Sequence, residues 1–167
     1  MLLLAAALFT GALANAQNNS PATPCKCCTA PHRSFDFWLG EWEVTNPQGK
    51  LAGHNRITME QDSCVLAEHW TGNGGKFTGT SLNFFDEGDQ QWHQTWTDNQ
   101  GGSLLLAGRM INGSMVLDDK SSTGNTETYN RITWTPNSDG TVRQHWEKTE
   151  DGGKTWATLF DGTYKHP

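Results

Sequence analysis

Glu68 is the residue whose type and setting most directly suggest chemistry. It lies in the strand-like run "CVLAEHWT", where strand alternation places it on one face with Leu66 and Trp70. A carboxyl group among apolar neighbours takes either a raised pKa or an arginine partner. Arg131 and Arg143 are the candidate partners, each in a strand-like run of its own. Such a pair could bind a carboxylate or amide ligand, or it could only lock the fold.

Other strand-like runs also mix tryptophan with polar side chains. In "QWHQTW", Trp92, Gln94 and Trp96 share a face, which suits a cavity with aromatic walls and a few polar groups. In "VRQHWEK" the pattern is ambiguous, because Arg143 and Glu147 share one face and the opposite face could equally point inward. The predicted ligand-binding residues are Glu68, Trp70, Asn83, Gln94, Trp96, Arg131, Arg143 and Glu147.

The sequence leaves open whether the chain is an enzyme. It contains no G-x-S-x-G elbow, H-E-x-x-H, P-loop or dinucleotide fingerprint. Ser81 lies within a strand-like run and not at a sharp turn, which argues against a nucleophile there. The alternative to ligand binding is an enzyme in which Glu68 or Glu147 is the general acid or base, with Arg131 or Arg143 holding an anionic substrate.

The segment "TEDGGKTW", residues 149–156, matches the Asp-box pattern of sialidase propellers. A propeller needs several copies of such a repeat, and this chain has one. We therefore interpret it as a turn. Asp151 tethers the turn backbone, the glycines adopt positive φ, and Trp156 begins the returning strand.

The chain has four cysteines, three of them in the "CKCC" segment at Cys25, Cys27 and Cys28. Four cysteines can form disulfides in three different combinations. We expect one of the three cysteines in "CKCC" to bond Cys64, while the other two are either free or paired with each other. The alternative is a soft-metal site formed by the thiolates with His32 nearby. If the segment binds a metal, the folded domain after it would serve only as a scaffold for the metal site. We predict no metal among the site residues proper.

The N-terminus predicts export. Residues 1–16 form a short apolar run ending in Ala14-Asn15-Ala16, which fits a signal peptide with cleavage before Gln17. Residues 17–33 are rich in Pro, Ser, Thr and Asn, which predicts a flexible leader. Residues 34–167 then form one domain in a secreted or periplasmic protein.

Net charge is −6, without clusters of Lys and Arg. Nucleic acids and anionic membranes both attract clustered positive charge, so the sequence argues against both as partners. We expect a small-molecule ligand as the partner, no membrane insertion and no cofactor, in a monomer or a dimer.

The regular spacing of turns predicts an all-β fold. About ten strand-like runs follow Gly40, each bounded by turn residues, including Asn112-Gly113. Hairpins without long crossovers favour a meander, and closing it removes the exposed edges. We therefore predict a ten-stranded antiparallel up-and-down barrel. "SFDFWL" is the one helical candidate, a short turn with Ser34 as N-cap and Gly40 at its end.

The opening "FWLGEWEV" resembles the G-x-W signature of calycins, the group that includes lipocalins and nitrobindins. Together with "CVLAEHWTGNGG", "GTSLNFFD" and "WHQTWTDN", it is similar to a family of exported bacterial proteins that carry a domain of unknown function. The resemblance covers nearly all of residues 35–164 and implies a calycin-like barrel, but no reaction. It also implies that Trp42 closes the narrow end under a basic side chain, for which Arg143 and Lys165 are candidates.

Overall fold

The computed structural model describes residues 25–167, which form one antiparallel barrel preceded by two short helical turns. Before the barrel come α1 (Ala30–Arg33) and a 3-10 helix (Asp36–Trp38), and α2 (Lys120–Thr123) follows the seventh strand. The strands are β1 (Gly40–Thr45), β2 (Leu51–Glu60), β3 (Val65–Gly72), β4 (Thr78–Asp86), β5 (Gln91–Asp98), β6 (Ser103–Ile111), β7 (Ser114–Asp118), β8 (Tyr129–Pro136), β9 (Val142–Thr149) and β10 (Ala157–Lys165).

The predicted closed meander is confirmed. Each strand pairs with its neighbours in sequence, and β1 also pairs with β10, with Val44 opposite Tyr164. Closure leaves no sheet edge unpaired, which removes the template for edge-to-edge aggregation. It also gives every strand one face toward the interior and one toward solvent.

One end of the barrel is plugged by the aromatic segment that precedes β1, and we call it the closed end. Phe35 and Trp38 are 0% exposed, and their rings stack with centroids 5.1 Å apart. The Phe35 ring also meets Trp92 and Trp134 edge-on, at 5.5 Å and 5.3 Å between centroids. These rings come from β5 and β8, so the plug packs against strands from widely separated parts of the sheet.

The local caps of this segment differ from the prediction. The helical turn is the 3-10 helix, and Ser34 is not its N-cap, because the Ser34 hydroxyl donates to the Pro31 carbonyl at 2.8 Å and ends α1. Gly40 has a φ of +130° and begins β1 instead of ending a helix. A side chain there would collide with the ring of His166.

His166 also corrects the expected partner of Trp42. The imidazole of His166 stacks on Trp42 with ring centroids 3.8 Å apart, while the indole N–H of Trp42 donates to the Trp38 carbonyl at 2.8 Å. Arg143 and Lys165 do not cover Trp42. Both alternate with inward-facing residues, and Lys165 lies opposite Glu43 at the outer face of β1.

The cysteines form two disulfides, Cys25–Cys28 and Cys27–Cys64, so one leader cysteine bonds Cys64 as predicted and the other two are paired. No thiolate is left for a metal in this oxidised chain, and the metal-handling alternative at "CKCC" therefore does not fit. From Cys25 onward the expected flexible leader is part of the fold, since α1 packs His32 against the barrel. The predicted signal peptide and residues 17–24 lie outside the described residues.

Among residues 25–167, no helix combines the length and the apolar character needed to cross a bilayer.

We predict that the two disulfides differ in their contribution to stability. Cys27–Cys64 spans 37 positions, so its loss in C27S/C64S lowers the free energy of unfolding by roughly 3–5 kcal/mol. The matched control C25S/C28S removes a bond across only 3 positions and costs less. Urea unfolding of both double variants measures the difference, and equal losses would contradict this loop-length account.

Candidate functional site

Glu68 points into the barrel. In β3, Leu66 and Glu68 are buried and Trp70 is half-buried, while His69 and Thr71 between and beyond them are exposed. The exposed fraction of Glu68 is 4%. The face that carries the mixed aromatic and polar side chains is therefore the inner face of this strand.

Two neutral donors hold the Glu68 carboxylate. The amide Nδ2 of Asn55 donates to Oε1 at 2.7 Å, and the hydroxyl of Ser81 donates to Oε2 at 2.6 Å. Asn55 Nδ2 also lies 3.4 Å from the hydroxyl oxygen of Tyr164, and that hydroxyl donates to Oε1 of Gln144. These contacts link β9, β10, β2, β3 and β4 across the interior.

The network continues on the other side of Glu68. Asn83 donates to the Ser81 hydroxyl oxygen at 2.9 Å and to the Leu66 carbonyl at 3.0 Å, and Gln94 donates to Oδ1 of Asn83 at 2.9 Å. Register produces these contacts, because Glu68 lies opposite Ser81 and Asn83 lies opposite Gln94. We call the whole set the polar seam: Gln144, Tyr164, Asn55, Glu68, Ser81, Asn83 and Gln94.

Burial dominates the electrostatics of the seam. It raises the pKa of Glu68 from 4.5 to about 7, although the hydrogen bonds from Ser81 and Asn55 lower it. Burial and the nearby Glu68 raise the pKa of Tyr164 well above 10.0, so its hydroxyl stays protonated. None of the ion pairs within residues 25–167 includes Glu68.

Asn55 carries an acceptor that has no partner. Its exposed fraction is 2%, and Oδ1 lacks a hydrogen bond in the part of the chain that the structure describes. Nδ2 of the same amide faces oxygens of Glu68 and Tyr164 that accept its protons, so Oδ1 points away from both. An unpaired buried acceptor costs free energy, which a donor from outside the chain would recover.

Four aromatic side chains line the barrel at the end opposite the plug, which we call the open end. Trp70, Trp96, Trp146 and Phe160 occupy inward positions and are half-buried, in contrast to the fully buried rings of the closed end. We name these four the aromatic collar. Trp70 and Phe160 meet edge-on across the interior, with centroids 6.0 Å apart.

Glycines make room for two rings of the collar. A Cβ on Gly53 would overlap the indole of Trp70, and a Cβ on Gly79 would overlap the indole of Trp96. Each tryptophan therefore lies across the backbone of the neighbouring strand. This placement brings the rings close to the barrel wall.

Of the two alternatives considered for Glu68, the structure favours the raised pKa, and neither candidate partner, Arg131 or Arg143, pairs with it. Arg143 makes a two-pronged contact with Asp161, at 2.8 Å for each nitrogen, and Arg131 pairs with Glu147 at 3.1 Å. Register places all of these on the outer face of β8, β9 and β10, opposite the face that carries Trp146. Of the two interpretations of "VRQHWEK", the correct one places Arg143 and Glu147 on the outer face.

Three predicted ligand-binding residues therefore lie outside the interior: Arg131, Arg143 and Glu147. The enzyme alternative loses the arginine that was expected to hold an anionic substrate. The guanidinium of Arg131 also covers the outer indole of Trp156, with the Cζ atom 3.7 Å from the ring centroid. Glu68, Trp70, Asn83, Gln94 and Trp96 are the predicted residues that the structure brings together in the interior.

The Asp-box segment is a turn, as interpreted. Asp151 accepts hydrogen bonds from the backbone N–H and the hydroxyl of Thr155, at 2.8 Å and 2.7 Å. Backbone and side-chain hydrogen bonds from Thr155 lower the pKa of Asp151 to about 2. Gly152 and Gly153 both have positive φ.

One group of possible metal ligands occurs in the described residues, formed by Asp86, Asp89 and His93 at the hairpin between β4 and β5. Both carboxylates already hold turn backbone, since Asp86 accepts from the N–H of Gly88 and Asp89 from that of Gln91. The two aspartates are exposed, and the arrangement is typical of a tight polar turn.

Two surface depressions, of about 320 and 350 Å³, lie side by side along β3, β4 and β5. Both include His69, Thr80 and Thr97 of the outer face. Their linings also include Trp70 of the collar, in the smaller depression, and Glu68 and Ser81 of the seam, in the larger one.

The sequence did not reveal four members of the seam: Asn55, Ser81, Gln144 and Tyr164. Asn55 carried a signal, because it alternates with Gly53 and Ile57 on a face that otherwise has no polar group. Ser81 was considered only as a nucleophile, and its role as a donor to Glu68 depends on register.

No protein-family model matches the chain, and no curated protein is significantly similar to it.

We predict that stability falls as pH rises through the titration of Glu68. The folded state keeps its proton up to about pH 7, whereas the unfolded chain releases it near 4.5, so the folded state binds more protons in between. The free energy of unfolding should therefore drop by about 3 kcal/mol across this window.

Urea unfolding between these pH values measures this slope. Glu68→Gln should flatten it, because the amide does not titrate. Glu147→Gln, on the outer face, should leave it unchanged. A slope that survives in E68Q would contradict the assignment to Glu68.

Proposed function

We propose that the protein binds a small, partly apolar molecule at the open end of the barrel. The observation that carries this proposal is the contrast between the two ends. The closed end is filled by fully buried rings, whereas the aromatic collar points inward and is only partly buried above the buried polar seam.

The composition of this end supports the proposal. Ligand sites combine apolar and aromatic walls with a few placed polar groups, and Trp70 and Trp96 lie beside Glu68 and Ser81 in this way. Eight strands already suffice for a barrel to hold one small ligand, and this barrel has ten. A scaffold without a ligand would gain nothing from leaving large aromatic rings partly exposed at one end.

We further propose that this binding takes place outside the cytoplasm, in the periplasm or the extracellular medium. Two disulfides in a chain of this size support an oxidising compartment, as does the signal-like apolar run of residues 1–16. Kinship with the calycin-like exported family of unknown function remains our prediction from the sequence.

The uncharged fluorescent probe N-phenyl-1-naphthylamine tests the proposal. We expect saturable binding to the folded protein, and we expect Trp96→Ala to weaken it by about tenfold or more because it removes one wall of the site. Trp156→Ala is the matched control, since that indole stacks on Arg131 outside the barrel.

Circular dichroism and thermal melts establish that the variants fold, and Trp70→Leu replaces W96A if that variant does not. Absence of saturable binding, or equal weakening by W156A, would exclude the open end as the site.

A second candidate function is acid–base catalysis by Glu68. The observation in its favour is the pKa of about 7, which populates both protonation states of this carboxyl near neutral pH. A bound molecule that is chemically altered by the native protein, and not by E68Q, would establish this function. Mass spectrometry of the released molecule distinguishes the two.

A further inference from the structure

We propose that the interior site selects an organic cation, a protonated amine with an apolar body, whose ammonium group contacts both the carboxylate of Glu68 and Oδ1 of Asn55. This inference rests on the proposed function, because it names the class of ligand that the open end would take. It also differs from the enzyme alternative considered for the sequence, in which an arginine holds an anionic substrate.

The first support is a buried carboxylate without a cation. Glu68 accepts hydrogen bonds from two neutral groups, Asn55 and Ser81, and the two arginines once expected beside it are paired on the outer face. A buried carboxylate is costly unless a positive charge accompanies it. A bound ammonium group would supply that charge.

The second support is the unpartnered Oδ1 of Asn55. It is an acceptor, it is buried, and it belongs to the same amide that donates to Glu68. An ammonium group has three donors and no acceptor, so it can satisfy Oδ1 and the carboxylate together. A carboxylate ligand would instead place acceptors against acceptors.

The third support is the aromatic collar above these two groups. Trp70 follows Glu68 by two positions on the same face, which places the indole about 6–7 Å nearer the open end. Aromatic faces attract cations, and the rings also cover an apolar body. An ammonium group two or three carbons from an aromatic or alkyl group matches this depth.

One other carboxylate is buried in the described residues: Asp119 accepts from the backbone N–H and the side-chain amide of Asn130, each at 2.7 Å. Tyr164 contacts the seam and stays neutral. Lys148, at the rim of the open end, pairs with Glu150 at 2.9 Å, and Asp98 accepts from the N–H groups of Gln100 and Gly102. The pH dependence of cation binding should therefore follow Glu68.

Three probes of matched size test the selection: 2-phenylethylammonium, 2-phenylethanol and phenylacetate. At about pH 8 we expect the ammonium compound to bind about tenfold or more tightly than the alcohol, with phenylacetate the weakest. At about pH 5.5, where Glu68 is protonated, this preference should shrink to about threefold or less. Calorimetry, or displacement of N-phenyl-1-naphthylamine, measures the affinities.

Variants then assign the selection to Glu68. E68Q should lose the preference for the ammonium compound over the alcohol, whereas E147Q should keep the preference of the native protein. If E68Q does not fold, the pH dependence of the native protein still decides.

Equal binding of ammonium compound and alcohol, with W96A still weakening both, would overturn the cation inference and leave the proposed function standing. Preference for phenylacetate would overturn it as well. Failure of every probe, including N-phenyl-1-naphthylamine, would overturn both.

Discussion

Pairing between β1 and β10 is the constraint on which this structure depends. Once Val44 lies opposite Tyr164, every strand has one enclosed face, and any polar side chain on that face must find its partner inside. The polar seam is the outcome, since donors from β2 and β4 converge on Glu68 from both sides. Without closure, these groups would be solvated and independent of one another.

Much of the architecture could be predicted because its signals are local. Turn residues such as Asn112-Gly113 mark the hairpins, and the absence of long connections favours a meander. Alternation within one strand grouped Glu68 with Leu66 and Gln94 with Trp92, but it did not show which face points inward; the burial of Leu66 and Trp92 does. The short helical turn ahead of the first strand was recognised from "SFDFWL".

The rest depends on contacts between distant positions. In β9 either face could point inward, because polar side chains occur on both. Only the pairing of Glu147 with Arg131 in β8 identifies the outer face. Asn55 and Tyr164 are 109 residues apart, so alternation within one strand cannot show that they meet. The contact of His166 with Trp42 could not be predicted for the same reason, because His166 lies at the far end of the chain.

The junction between the first and last strands has a consequence for biosynthesis. His166 contacts the carbonyl of Glu41, 125 residues earlier, so the barrel cannot shut until the final strand has left the ribosome or the translocation channel. Until then the growing chain can form only an open sheet, in which one edge of the first strand has no pairing partner. A nascent chain stalled before β10 is thus a candidate client for chaperones that shield strand edges, and complete synthesis releases it.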